Sequence, residues 1–254
     1  MIVQERLTRN LGIMSEEDMH KLRNAKIAIA GCGCIGGFSA ELLTRIGVGE
    51  LRIADPDSFD ESNINRQCAA TFKTIGRNKS EALKEHLLAI NPELKITTYS
   101  EGVHEENVSD FLHQVDYVID AIDYFAFPYA VLLHREARQR GIHIITAAAI
   151  GFGTTVLAFD PKGMALEEYV GMPMGLTIEQ MKGIRFPVSG YAEKLPSYIS
   201  MEQVTRWIQE KTIPTISVGQ ALGPGVLVSK MILHILDRKV PSFVPESFQL
   251  QFED

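Results

Sequence analysis

The chain has 254 residues, of which 45% are hydrophobic and 22% charged, with a formal net charge of −7. That balance allows one large domain with an ample core and excludes a disordered or fibrous chain. The negative charge gives no general electrostatic drive toward nucleic acid, which is therefore not an expected partner.

Residues 1–24 read as a helical arm: Leu11, Met14, Met19 and Leu22 form an apolar stripe and Ser15-Glu16-Glu17-Asp18 a helix start. The first twenty residues are too polar for a secretory signal. No apolar run approaches the ~18 residues that a bilayer crossing needs. The cytoplasm, with no membrane partner, is the expected compartment.

From 25 to 160 strands alternate with helices. Strands are expected over 26–30, 50–54, 95–99, 116–121, 142–147 and 153–159, and helices over 35–46, 77–90, 104–113 and 126–140. Continuously apolar strands between helices predict a mainly parallel, doubly wound, Rossmann-like α/β sheet with helices on both faces. The style changes at Asp160-Pro161-Lys162-Gly163, a turn signature. Residues 161–216 form a separate segment without strand periodicity. It carries two capping-box starts, Thr177–Gln180 and Ser200–Gln203, and a loop over 186–197 expected to be mobile. Residues 217–254 are expected to complete the main domain. A long apolar helix over 217–236 is interrupted at Gly223-Pro224-Gly225, and 247–252 alternate as a last strand.

The chemistry concentrates in residues 25–79. The strand KIAIA runs into Gly31-Cys32-Gly33-Cys34-Ile35-Gly36 and a helix. A glycine turn at a helix start offers bare N–H groups and the positive end of the helix dipole, which favour phosphate. Asp55, at the end of the next strand, stands at the offset of a ribose-binding acid. Such a turn also serves plain strand–helix packing, so the downstream residues decide. Ser62-Asn63-Ile64-Asn65-Arg66-Gln67 and Gly76-Arg77-Asn78-Lys79 bring an arginine and a lysine that could neutralise a triphosphate, the first as a fork and the second as a point charge. Asp120 and Asp123 stand at another strand's carboxyl end, where open α/β sheets bind ligands, and a carboxylate facing phosphate suits Mg²⁺. Each residue has a plainer alternative. Asp55 could simply end its strand, Arg66 could pair with Asp57 or Asp60, and Lys79 could be a solvated helix start. Asp120 could structure the strand end, which leaves Asp123 as the metal candidate.

These pieces together resemble the ThiF/MoeB family, bacterial relatives of ubiquitin-activating enzymes. The likeness rests on GCGCIG at 31–36, ADPD at 54–57, SNINRQ at 62–67, GRNKSE at 76–81 and VIDAID at 118–123. It is supported by INPELKI at 90–96 and TAAAIGFGTTVLAF at 146–159, is looser over 217–236 and is absent over 164–215. The resemblance implies ATP-dependent adenylation of a carboxylate, commonly the C-terminus of a small ubiquitin-fold sulfur carrier or a peptide, with release of pyrophosphate. It implies that Asp55 holds the ribose, that Gly33 and Cys34 lie against the nucleotide, that Asn63, Arg66 and Lys79 contact phosphates, and that Asp123 holds Mg²⁺. Arg9 matches an arginine inserted into the partner's site, which implies a homodimer with shared active sites; an ordinary N-terminal charge is the alternative.

The chain departs from the pattern in places. Cys34 replaces a glycine, and a thiol at a helix N-terminus is expected to have a lowered pKa. Tyr124 follows Asp123 where relatives carry asparagine. No CxxC pair exists, so no structural zinc is expected, and no cysteine follows Cys68, so no thioester step is expected. The seven histidines show no metal-ligand spacing and are read as surface residues. Two other readings stay open: activation of threonylcarbamoyl-adenosine on tRNA, as in a dehydratase, and a nicotinamide-dependent oxidoreductase. Tyr191, Tyr198 and Trp207 are candidates for an acceptor channel, with packing as the alternative.

Overall fold

A computed structural model describes residues 4–182, 184, 190–191 and 194–252. Seven strands form one sheet: β1 (Lys26–Ala30), β2 (Glu50–Ala54), β3 (Lys95–Tyr99), β4 (Tyr117–Asp120), β5 (His143–Ile150), β6 (Gly153–Phe159) and β7 (Phe248–Leu250). Their spatial order is β3-β2-β1-β4-β5-β6-β7, with β1 to β5 parallel and β6 and β7 antiparallel. The connection reverses direction between β1 and β4, whose last residues Ala30 and Asp120 lie in register. That switch point opens a crevice at the carboxyl edge of the sheet.

The helices are α1 (Glu16–Asn24), α2 (Cys34–Ile46), α3 (Lys79–Ile90), α4 (Val108–Phe111), α5 (Phe127–Gln139), α6 (Leu166–Tyr169), α7 (Ile178–Met181), α8 (Met201–Gln209) and α9 (Ser217–Ile235). One core lies under α1, α2, α3 and α9, with Leu22, Ile29, Leu43, Leu83 and Leu227 fully buried. A second lies on the opposite face under α4 and α5, built on Phe111, Val118 and Phe127, and α6 and α7 pack into it through Leu166 and Met181. Local chemistry sets the helix starts. Ser15 and Asp18 cap α1 reciprocally, Asn78 accepts from the Ser80 and Glu81 N–H groups at the head of α3, and reciprocal capping boxes open α7 and α8.

Several expectations need correcting. Only the single turn Val108–Phe111 of the 104–113 stretch is α-helical. Strand β5 runs on to Ile150, because it pairs with β6 along its whole length. The helix expected to break at Gly223-Pro224-Gly225 is continuous through Pro224. Its flanking glycines relieve crowding there, and Gly223 is pressed against Thr154 too closely for a side chain, 2.8 Å from a built Cβ. By length and apolarity α9 would suffice to cross a bilayer, contrary to the expectation that no run comes near. In this fold its inner face is core, with Leu227 and Met231 fully buried. Of the loop expected over 186–197, residues 186–189, 192 and 193 lie outside the described residues.

The tightest packing is at the glycine turn. Gly31 has φ +97°, and a Cβ on it would sit 2.1 Å from the Ala121 carbonyl oxygen; one on Gly36 would sit 1.8 Å from the Gly31 carbonyl oxygen. Neither obstacle is a flexible side chain, so the backbone itself must move. Gly36→Ala should therefore lower unfolding free energy by more than about 2 kcal/mol, measured by urea denaturation. A variant as stable as the native chain would show that the contact is not tight.

Candidate active site

The carboxyl edge of β1, β2 and β4 carries most of the residues that the sequence singled out. After β1 the chain turns through Gly31 and enters α2 at Gly33, which has no side-chain cap. The first N–H groups of a 13-residue helix thus point into the crevice without a side-chain acceptor at the cap, the arrangement that attracts anions.

Asp55 follows β2 and is buried. Its Oδ2 accepts from the Cys32 N–H at 2.7 Å and its Oδ1 from the Asp57 N–H at 2.9 Å, which fixes the carboxylate beside the glycine turn. Burial raises its pKa above the ordinary carboxylate value, while the Lys79 ammonium and the two N–H donors oppose that rise. Each oxygen keeps a further lone pair for a hydroxyl ligand. Lys79, at the first turn of α3, extends from a buried position and donates to Asp57 Oδ2 at 3.0 Å. Arg66 donates to the Ser62 carbonyl at 2.9 Å and to Asn65 Oδ1 at 2.8 Å, and its guanidinium lies beside the Cys34 thiol. The expected alternative of an Arg66 pair with Asp57 or Asp60 is not what forms; Lys79 takes Asp57 instead. Asn65 in turn donates to the Thr215 carbonyl at 3.2 Å, tying this loop to the entry of α9.

Asn63 is buried and largely occupied within its own 3₁₀ turn, Glu61–Asn63, where Oδ1 accepts from the Asp60 N–H at 3.3 Å. Gln67 is the residue that sequence reasoning quoted in a motif but gave no role. It is buried, its Oε1 has no hydrogen-bond partner among the described residues, and its amide stands 3.6 Å from where a Cβ on Gly33 would be. An unpartnered buried amide oxygen facing the turn is a ready ligand contact.

The two acids after β4 separate cleanly. Asp120 is buried, with Oδ1 accepting from the Ile122 N–H at 3.1 Å and Oδ2 paired with His134 Nε2 at 3.0 Å. Asp123 is exposed, and among the described residues its carboxylate accepts through Oδ1 alone, from the Phe125 N–H at 2.8 Å. The free oxygen at this rim is a hard donor of the kind a Mg²⁺–phosphate complex takes, so the donor chemistry fits. Tyr124, the next residue, packs edge-on against Tyr191 with ring centroids 6.2 Å apart. Tyr198 instead accepts from the Phe152 N–H at 2.9 Å, and Trp207 is half-buried on α8.

Arg9 stands apart. It is exposed on the 3₁₀ turn Glu5–Asn10, and this arm docks on the far end of α2: Leu7 lies against Gly47 and Asn10 donates to the Ile46 carbonyl at 3.3 Å. A 13-residue helix is about 20 Å long, so Arg9 is a helix length away from the glycine turn of its own chain.

Two further expectations are overturned. Cys34 was expected to have a lowered pKa, yet burial pushes the thiol above its ordinary value despite the pull of Arg66 and Lys79. Desolvation outweighs the helix terminus here. The histidines are not all surface residues: His134 is buried against Asp120 and packs on Phe159, and His86 pairs with Glu41 at 2.8 Å.

The ThiF family model matches residues 6–235. The tRNA threonylcarbamoyladenosine dehydratase of Bacillus subtilis is 35% identical over 141 residues, covering 55% of this chain and 55% of that protein. The probable adenylyltransferase/sulfurtransferase MoeZ of Mycobacterium tuberculosis is 31% identical over 128 residues, 50% of this chain and 33% of its own length. The chain thus spans about half the length, or less, of these curated relatives. In fold it is similar to E. coli MccB crystallised with ATP, with a TM-score of 0.67 at 20% identity over 97% of this chain and 68% of that one. It is also similar to selenomethionine PaaA, with a TM-score of 0.67 at 19% identity over 92% and 62%.

The raised Cys34 pKa has a direct consequence for reactivity. Site-resolved alkylation with iodoacetamide across pH should give Cys34 a midpoint above the ordinary thiol value of about 8.5. A midpoint below that value would mean that the helix terminus and Arg66 win over burial.

Proposed function

The chain belongs to the ThiF family, and from that premise we propose that it is an ATP-dependent adenylyltransferase that activates a carboxylate as an acyl-adenylate and releases pyrophosphate. One observation carries this reading: Arg66 and Lys79 both act on the Cys34 thiol at the bare N-terminus of α2, and Lys79 acts on the buried Asp55 as well. A triphosphate, with more negative charge than a dinucleotide's pyrophosphate, makes fuller use of two cations there.

In this reading Asp55 holds the ribose, and Gly33 lets the nucleotide lie against backbone beside Gln67. Arg66 and Lys79 neutralise the charge that builds on the phosphates as the carboxylate oxygen attacks the α-phosphorus and the bond to pyrophosphate breaks. Lys79 has three donors, so it can keep Asp57 and still reach a phosphate oxygen. Mg²⁺, arriving with ATP, would be held by Asp123 and would supply further charge neutralisation on the phosphates. Asn63 acts mainly by shaping the loop that carries Arg66. Cys34 contributes packing, and a protonated thiol beside the phosphates is chemically silent. No thioester step follows, because no cysteine comes after Cys68 in the sequence.

The acceptor is the C-terminal carboxylate of a peptide or small ubiquitin-fold protein, guided by residues 161–216; the packing of Tyr191 on Tyr124 next to Asp123 supports that placement. A second reading has its own support, the 35% identity over 141 residues to a tRNA threonylcarbamoyladenosine dehydratase. There the activated carboxylate sits on a modified tRNA, and the net charge of −7 weighs against that polyanionic acceptor. The enzyme works as a homodimer: Arg9, a helix length from its own glycine turn, completes the site of the other subunit. ATP dependence fits a cytoplasmic enzyme.

Acceptor-dependent ATP–pyrophosphate exchange tests the reaction, with peptide extracts and tRNA as separate acceptor pools. Exchange should require Mg²⁺ and fall about 100-fold or more in Arg66→Ala, Lys79→Met and Asp123→Ala. Exchange driven by tRNA alone would select the second reading, and no exchange with either pool would remove both. The dimer claim has a separate check. Arg9→Ala and Asp123→Ala chains are each inactive alone, but after subunit exchange each mixed dimer should regain one working site. No recovery in well-exchanged mixtures would remove the role of Arg9 across the interface.

A further inference from the structure

Away from the nucleotide crevice, three metal-ligand side chains meet that lie far apart in the sequence. Glu41 comes from the middle of α2, Cys68 from the loop just after Gln67, and His86 from α3; their ligand atoms all lie within 4.8 Å of one another, and all three residues are half-buried. His86 Nε2 stands 2.8 Å from Glu41 Oε2, while Arg45 Nε donates to Glu41 Oε1 at 2.8 Å and steadies the carboxylate. The Cys68 thiol lies over Gly37 of α2, its Sγ 3.1 Å from where a Cβ there would be.

Thiolate, imidazole and carboxylate together suit a borderline-soft cation with tetrahedral habits, and zinc with three protein ligands takes such a set. Magnesium and calcium, which take oxygen, are excluded by the sulfur and nitrogen. Ligands held about 2.0–2.3 Å from a tetrahedral zinc stand roughly 3.5 Å from each other, so movements on the order of 1 Å would close the site. The Arg45–Glu41 contact already supplies the outer hydrogen bond that orients metal-binding carboxylates.

We propose that Glu41, Cys68 and His86 form a zinc site with its fourth position open to solvent. The ion would clip together α2, the Arg66 loop and α3, the three elements that carry the glycine turn, Arg66 and Lys79. It thus braces the pocket from behind without touching the nucleotide, and it stands whether or not a carboxylate is the substrate.

Cobalt is the probe. The full chain, stripped with chelator and titrated with Co²⁺, should bind one equivalent with a thiolate-to-cobalt charge-transfer band that zinc displaces. Cys68→Ser should abolish the band, His86→Gln should weaken binding at least about tenfold, and Cys32→Ser should leave the band in place. Zinc should also raise the Tm of the native chain but not of His86→Gln. If Cys68→Ser fails to fold, His86→Gln at a half-buried position carries the test. Absence of a thiolate band at stoichiometric cobalt, or a band of undiminished affinity in His86→Gln, overturns the proposal.

Discussion

Everything at the candidate site depends on how closely the head of α2 approaches the ends of β1 and β4. The Gly31 and Gly36 contacts leave no room for a single carbon, so backbone meets backbone on both sides of the turn. This approach aims the free N–H groups of α2 into the crevice and keeps the Gly33 surface bare. It also places the turn beside Asp55, which in turn fixes Cys32 by hydrogen bond. Were the turn held even one methyl group further out, the Cys32 N–H bond to Asp55 would be strained, leaving the Asp57 N–H as its backbone donor.

Around that constraint the chain sets two cations, Lys79 and Arg66, near the head of α2. Lys79 and Arg66 are held by partners that leave donors to spare: a mostly exposed Asp57 for one, a carbonyl and an amide oxygen for the other. Asp57 and the nearby buried Asp55 balance the Lys79 charge, while its remaining N–H donors stay available to a ligand. Across the switch point the contrast between Asp120 and Asp123 follows the same logic. The buried acid spends both oxygens on structure, and the exposed one keeps an oxygen for the ligand.

The sequence made the nucleotide half legible because its signals are local. Strand–glycine–helix patterning placed β1 and α2 to within a residue, and alternating apolar strands and helices placed β2, β3 and β6 as well. What escaped it depends on tertiary contacts. Pro224 reads as a helix breaker, but burial of α9 between α2 and the sheet keeps the helix whole. Cys34 reads as activated by a helix terminus, but desolvation, invisible in a motif, dominates. Gln67 stands inside a quoted motif, yet only the fold shows that its amide faces the turn with an oxygen to spare. His86 and His134 look scattered because their partners, Glu41 and Asp120, come from other elements. The proposed role of Arg9 across a dimer rests in the sequence on resemblance alone, and the docking of its arm on the far end of α2 is what supports it in the fold.

The most direct test is a crystal structure of the full chain with a non-hydrolysable ATP analogue and Mg²⁺. The account requires phosphate oxygens within about 3 Å of the Arg66 guanidinium, the Lys79 ammonium and an N–H of the α2 head, with the ribose on Asp55 and the cation on Asp123. A nucleotide seated elsewhere, or one whose phosphates leave Arg66 and Lys79 on their present partners, would contradict it.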